Sequence, residues 1–172
     1  MEYYIMSLDK RIQNKFILQK FPEAGSVEYN TSHADKVREH TMLHTIESDK
    51  SAYPDVLEEP LFMVSQKVKE VLELYDEGAI YKRVSMVNMP RKKRTEYHVL
   101  LVDRIECLHQ DTEFYPDKSI KKLVLDKGKI ADKTVFKVKG ISPAYMIVTT
   151  DIVESLLRRG CYGIKFTKVE SR

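Results

Sequence analysis

One pattern occurs twice in this chain, and it constrains the fold more than any other feature. The apolar stretch Leu61 to Val64 is followed by Ser65 and then by a helical spacing that runs to about Tyr75. Val64, Val68, Val71, Leu72 and Tyr75 form one apolar stripe opposite Lys69, Glu70 and Glu73, as expected of a helix with one face in a core. Ser65 is the predicted cap and Gly78 the stop, before a strand over Ile80 to Val87. The second occurrence begins with Tyr145 to Val148, then Thr149 and a helix from about Asp151 to Arg159. Asp151 and Glu154 in its first turn and Arg158 and Arg159 in its last suit the helix dipole. Gly160 ends it, and Gly163 to Val169 reads as a closing strand. Ser65 and Thr149 are 84 positions apart, and in that register Val68 matches Ile152, Glu70 matches Glu154 and Leu72 matches Leu156. Either the chain contains an internal duplication, or two ordinary strand–cap–helix units look alike.

Around these units the signals are those of strands and turns. Tyr3 to Leu8 and Lys15 to Gln19 read as strands, with a turn around Pro22, Gly25 and Asn30. A helix is expected over His33 to His44, with Ser32 as cap and Asp35 three residues on. Ser48 to Pro60 reads as a loop. Thr95 to Val102 is a strand joined to the one before it by an exposed hairpin loop, Asn88 to Arg94. Arg104 to His109 and Leu123 to Leu125 have β character, Asp126-Lys127-Gly128 is a turn, and Thr134 to Lys139 alternates as a half-buried strand. The fold class is therefore α+β, a mostly antiparallel sheet with two similar strand–helix–strand units (helices near 65–76 and 151–159). Residues 1–172 form a single domain, with 1–58 as an N-terminal part and 59–172 as the core.

Composition bounds the function. With 42% hydrophobic and 32% charged residues the chain is globular, and its net charge of +3 lacks the concentrated basic surface that nucleic acid requires. The first residues show no signal peptide, and the longest uncharged apolar stretch, Gly140 to Thr150, contains Pro143 and is too short for a bilayer. Cys107 and Cys161 match no zinc or redox spacing. A soluble, cytoplasmic protein is expected, with no membrane partner and no cofactor.

Candidate chemistry is sparse. His40 and His44 would share a helix face, but the intervening Thr41-Met42-Leu43 lacks a metalloprotease glutamate and no third ligand follows. Cys107 and His109 would leave one strand face, yet Cys107 between apolar neighbours reads as core rather than nucleophile. No catalytic residue and no metal site is expected. The candidate partner-binding residues are the basic run Arg91, Lys92, Lys93 and Arg94, and the loop acids Asp111, Glu113 and Asp117. Asp55, Glu58 and Glu59 are further loop carboxylates.

Three passages carry a family resemblance: Phe62-Met63-Val64-Ser65 with its helix; Tyr97 to Val102 followed by Arg104 to Leu108; and Val135 to Gly140 running through Ile147-Val148-Thr149 to Gly163-Ile164-Lys165-Phe166. From about Leu57 to Phe166 the chain resembles the bacterial polymorphic-toxin immunity proteins, specifically the family numbered eleven among them. It departs after the second passage, where that family's pattern has an Asp and this chain has His109-Gln110-Asp111. The resemblance implies a non-enzymatic antidote that binds and neutralises a cognate toxin domain, with no catalytic residues to carry over. The weakly basic net charge argues against an acidic nuclease mimic. The alternative reading is a nucleic-acid or regulatory binding module that uses Arg91 to Arg94.

Overall fold

Both apolar stretches that precede the capping hydroxyls are strands, and both hydroxyl residues stand at helix N-caps. The computed structural model describes residues 1–13, 17–18, 30–47 and 50–172. The strands are β1 (Tyr3–Leu8), β2 (Ile17–Leu18), β3 (His40–Ile46), β4 (Val56–Leu57), β5 (Met63–Ser65), β6 (Ile80–Asn88) and β7 (Lys93–Leu101). They continue as β8 (Arg104–Ile105), β9 (Glu113–Phe114), β10 (Ile120–Lys122), β11 (Val124–Leu125), β12 (Val135–Val138), β13 (Met146–Thr149) and β14 (Ile164–Ser171). The helices are α1 (Gln66–Leu72), the single turn α2 (Lys127–Ile130) and α3 (Thr150–Arg158). No described helix is long and apolar enough to cross a membrane.

The fold is α+β, and most strand pairings are antiparallel. One six-stranded sheet has the order β2-β3-β6-β7-β5-β4, the other β11-β14-β1-β13-β12-β8, and β9 with β10 forms a separate ribbon. Among the described residues, parallel pairing is confined to β3 with β6, β11 with β14 and β8 with β12.

The two larger sheets repeat one topology. In the first, β5-α1-β6 is a crossover whose two strands lie on either side of β7; in the second, β13-α3-β14 straddles β1. The match extends outward, because β3 lies parallel beside β6 as β11 does beside β14, and β4 lies antiparallel beside β5 as β12 does beside β13. β3 and β11, α1 and α3, and β6 and β14 each begin 84 positions apart. A strand equivalent to β7 would follow β14, and the N-terminal strand β1 fills that place. This correspondence is what a duplicated unit with one strand supplied from the other end of the chain produces.

The central core lies where the two helices meet both sheets. Val68, Val71 and Leu72 of α1 and Ile152, Val153 and Leu156 of α3 pack with Val64, Leu100, Val135, Met146 and Val148. Tyr75 Oη and Ser155 Oγ, 2.6 Å apart, link the segments at the same contact. The outer face of each sheet carries a second cluster, around Leu43, Met86 and Tyr97 on one and around Phe136, Leu125 and Ile130 on the other.

Several expectations change. The helix expected over His33–His44 is a 3-10 turn at Thr31–Lys36 followed by β3. Thr41, Leu43 and Thr45 are buried while His40, Met42, His44 and Ile46 are exposed, a period of two. Three β-branched residues favour the extended form, and β6 provides the backbone partners. The expected loop Ser48–Pro60 contains β4, with both residues buried, although 48 and 49 lie outside the described residues. The turn at Asp126 is the start of α2, with Asp126 Oδ1 accepting from the Gly128 N–H at 3.0 Å. β12 is buried on both faces rather than half-buried, since Val135 enters the central core while Phe136 and Val138 enter an outer cluster. Of the expected second strand, Ile17 and Leu18 are a strand and the rest lies outside the described residues, as do Pro22 and Gly25.

The two caps are not equivalent. Ser65 Oγ accepts from the Val68 N–H at 3.3 Å and donates to Asp55 Oδ1 at 2.6 Å. Thr149 Oγ1 is buried with no hydrogen-bond partner among the described residues. Instead, Thr150 at the start of α3 donates its N–H to the Glu2 carbonyl at 3.1 Å. Asp55 also accepts from the Tyr162 N–H at 2.5 Å and donates its own N–H to the Tyr162 carbonyl at 2.7 Å. It therefore ties the first unit to the segment that follows α3 in the second.

Candidate protein-binding surface

The α1–α3 layer covers only one end of the first sheet's inner face. Beyond it, the register sets three rows across β3, β6 and β7: His40, Arg83 and His98; Met42, Ser85 and Glu96; His44, Val87 and Arg94. Residues opposed in this way share a face, so a polar network forms on the open part. Ser85 is fully buried and donates its hydroxyl to Glu96 Oε1 at 2.8 Å. Having one proton, it then accepts from His40 Nε2 at 2.7 Å and from Arg94 Nη2 at 2.9 Å. This assigns the His40 proton to Nε2 and leaves Nδ1 facing Arg83 Nη2 at 3.5 Å.

The electrostatics follow from these bonds. Burial opposes ionisation of Glu96, but the bonds from Ser85 and Arg94 prevail and hold its carboxyl below the usual range. Burial, then the nearby Lys69 charge, lowers the pKa of His98, whose Nε2 lies 2.8 Å from Gln66 Oε1. Because the Ser85 proton goes to Glu96, His40 Nε2 is the donor in the His40–Ser85 pair and does not serve as its base.

The predicted basic run lies at the β6–β7 tip, and its four members divide. Arg94 is held by Ser85 and Glu96. Lys93 Nζ sits 3.5 Å from the centroid of the Tyr53 ring, a cation–π contact. Arg91 and Lys92 are exposed in the turn, where Asn88 Oδ1 accepts from the Arg91 N–H at 3.1 Å and Lys92 adopts a positive φ of 50°. Exposed apolar side chains flank them: Met89 at 67%, Met42 at 58% and Ile46 at 57%. The parallel register brings the end of β3 level with the tip, since His44 opposes Val87. The result is a mixed apolar and cationic patch.

The predicted acids are placed elsewhere. Asp111 pairs with Arg172, and its N–H donates to His109 Nδ1 at 3.2 Å. Glu113 pairs with Lys121 at 2.8 Å, which holds its carboxyl below the usual range. Asp117 accepts from the Ser119 hydroxyl at 2.6 Å and N–H at 2.9 Å, with the same effect. These residues lie on or beside the β9–β10 ribbon, and the basic run lies at the β6–β7 tip, so the two predicted clusters belong to different elements. Asp55, expected in a loop, is only 9% exposed and serves as the internal tie.

The remaining candidates resolve by geometry. On a strand, His40 and His44 are about 13 Å apart, too far to share one ion. Among the described residues no group of three His, Cys, Asp or Glu side chains is placed to hold a metal. β8 ends at Ile105, so Cys107 leaves the expected strand and packs in the core, where burial pushes its thiol up to about 11. His109 Nδ1 instead accepts from the Asp111 N–H at 3.2 Å. The Ser85 network escapes sequence reading because it joins three strands and one of its four members, His40, sits on β3, where a helix is expected. Its one signal is the alternation from His40 to Ile46. The chain matches no protein-family model and no curated protein.

Proposed function

We propose that this protein is a non-enzymatic immunity protein that binds a cognate bacterial toxin domain in the cytoplasm and blocks it. The observation that carries the reading beyond the sequence resemblance is the exposed patch of Met42, Ile46 and Met89 beside Lys92. Apolar side chains of this size beside an exposed lysine suit a protein partner, which buries the former and pairs with the latter. A nucleic-acid module needs its basic residues directed at phosphate, whereas Arg94 and Lys93 are engaged within the protein. A specific complex would bury on the order of 1,200–2,000 Å², so the patch would form the centre of a larger contact.

The test is affinity capture with toxin domains encoded beside this protein, using wild type and Ile46→Asp/Met89→Asp. Wild type retains a neighbouring toxin domain, and the double variant, still folded by circular dichroism, releases it. Equal retention by the variant removes the patch from the interface, and retention of none of the neighbouring domains by wild type counts against the antidote reading.

A further inference from the structure

Where the two sheets approach each other, a cleft of about 230 Å³ runs between the segment before β5 and strands β8 and β12. Lys137 of β12 lines it. Alternation along the strand puts this lysine on the face of Val135, which belongs to the central core, and carries it inward to only 8% exposure. Among the described residues it has no hydrogen-bond or ion-pair partner. Its Nζ lies 5.8 Å from the centroid of the Phe62 ring, and Pro60, Leu100 and Pro143 make further apolar wall.

The cleft does not favour an anion. Glu58 lines it with a carboxylate, whose Oε2 accepts from the Leu8 N–H at 3.3 Å. Arg104, opposite Lys137 on β8, is already engaged. A neutral ligand suits these walls, and the amine itself is readily made neutral. Burial, then the Arg104 charge, lowers the Lys137 pKa to about 8. At pH 7 about one molecule in ten then carries the free amine, against roughly one in 2,500 for a lysine at the ordinary value. A lysine desolvated in an apolar pocket is activated in this way as a nucleophile toward carbonyl carbon. An unpaired buried ammonium is also unfavourable, and an imine, a weaker base than the amine, removes that charge.

We propose that Lys137 is a reversible covalent binding site for a small apolar aldehyde, held as an imine with its body against Phe62 and the two prolines. The ammonium first gives one proton to solvent. The amine lone pair adds to the carbonyl carbon, forming a carbinolamine. The two remaining N–H protons then leave with the carbonyl oxygen as water, and the C=N bond closes without net oxidation or reduction. The volume lies just under the range of drug-sized ligands, which begins at about 300 Å³, so a single ring is admitted and a polycycle is not. This site is independent of the toxin-binding patch.

The test incubates the whole protein at pH 7 with benzaldehyde and cyanoborohydride, which reduces the imine to a stable benzylamine, and maps the product by peptide mass spectrometry. Lys137 is expected to be labelled at least tenfold faster than the exposed Lys92, an advantage that shrinks as the pH rises above about 8. Pyrenecarboxaldehyde, too large for the cleft, labels the exposed α-amine of Met1 but not Lys137. Without reductant, benzaldehyde raises the Tm of wild type and leaves that of Lys137→Met unchanged. Labelling of Lys137 no faster than Lys92, equal labelling of Lys137 by the two aldehydes relative to Met1, or an equal thermal shift in Lys137→Met overturns the proposal.

Discussion

Replacing Asp55 by Ala removes a carboxylate that accepts from the Ser65 hydroxyl at 2.6 Å and from the Tyr162 N–H at 2.5 Å. Both bonds are part-buried, and each donor orphaned costs about 1–3 kcal/mol. The variant therefore loses about 2–5 kcal/mol, which lowers Tm by roughly 5–15 °C in a domain of this size. Asp55→Asn keeps one acceptor oxygen and turns an amide donor toward the other partner, so about half the loss is expected. Ser65→Ala shares one of these bonds, so its combination with Asp55→Ala falls short of additivity by about 1 kcal/mol. Urea denaturation of wild type and the four variants measures all of these quantities. An Asp55→Ala variant within about 0.5 kcal/mol of wild type, the level of an ordinary surface change, would refute the assignment of Asp55 as the tie between units.

Cap asymmetry gives a second test: Ser65→Ala costs about 0.5–2 kcal/mol, whereas Thr149→Val, which removes a buried hydroxyl without a partner, is neutral or stabilising by chemical denaturation. At the hairpin tip, Arg91→Glu/Lys92→Glu leaves stability within about 0.5 kcal/mol per site. Arg94→Glu, which sets a second carboxylate beside Glu96, lowers it by about 1–3 kcal/mol, and thermal melts separate the two. Cys107 and Cys161 both have thiols pushed up to about 11 by burial. The folded state favours the neutral thiol, so this contribution is intact below the ordinary thiol pKa near 9 and is lost as pH rises toward 11. Stability measured across that window should fall, and the fall should shrink in Cys107→Ala.

The repeated unit was legible because its signals are local. Ser65 caps at short range, the Val68–Leu72 stripe has helical period, and the matching stretch 84 positions later shows the same order of elements. What closes the second unit was not legible. β1 takes the place of β7 through pairings with β13 and β14, and nothing within Tyr3–Leu8 distinguishes those partners from any other strand. β3 was misread because two histidines four apart suit one face of a helix as well as one face of a strand, and the parallel partner that decides between them lies some forty residues on. Asp55 and Lys137 fail for a shared reason. A carboxylate among prolines reads as loop, and a lysine in an alternating strand reads as solvent-facing, until tertiary packing covers both. Of the candidate surface, the Arg91–Arg94 tip is visible in sequence, but the internal contacts of Arg94 and Lys93 depend on Ser85, Glu96 and Tyr53.

Under the function proposed here, the protein neutralises a toxin by occupying it. The most direct test is protection against a neighbouring toxin domain, measured while the ratio of the two purified proteins is varied. A stoichiometric antidote gives protection that rises linearly and saturates at one equivalent, with a complex of matching composition by light scattering. Full protection at a small fraction of an equivalent, or protection without any complex, contradicts the account and identifies an enzyme acting on the toxin or its target.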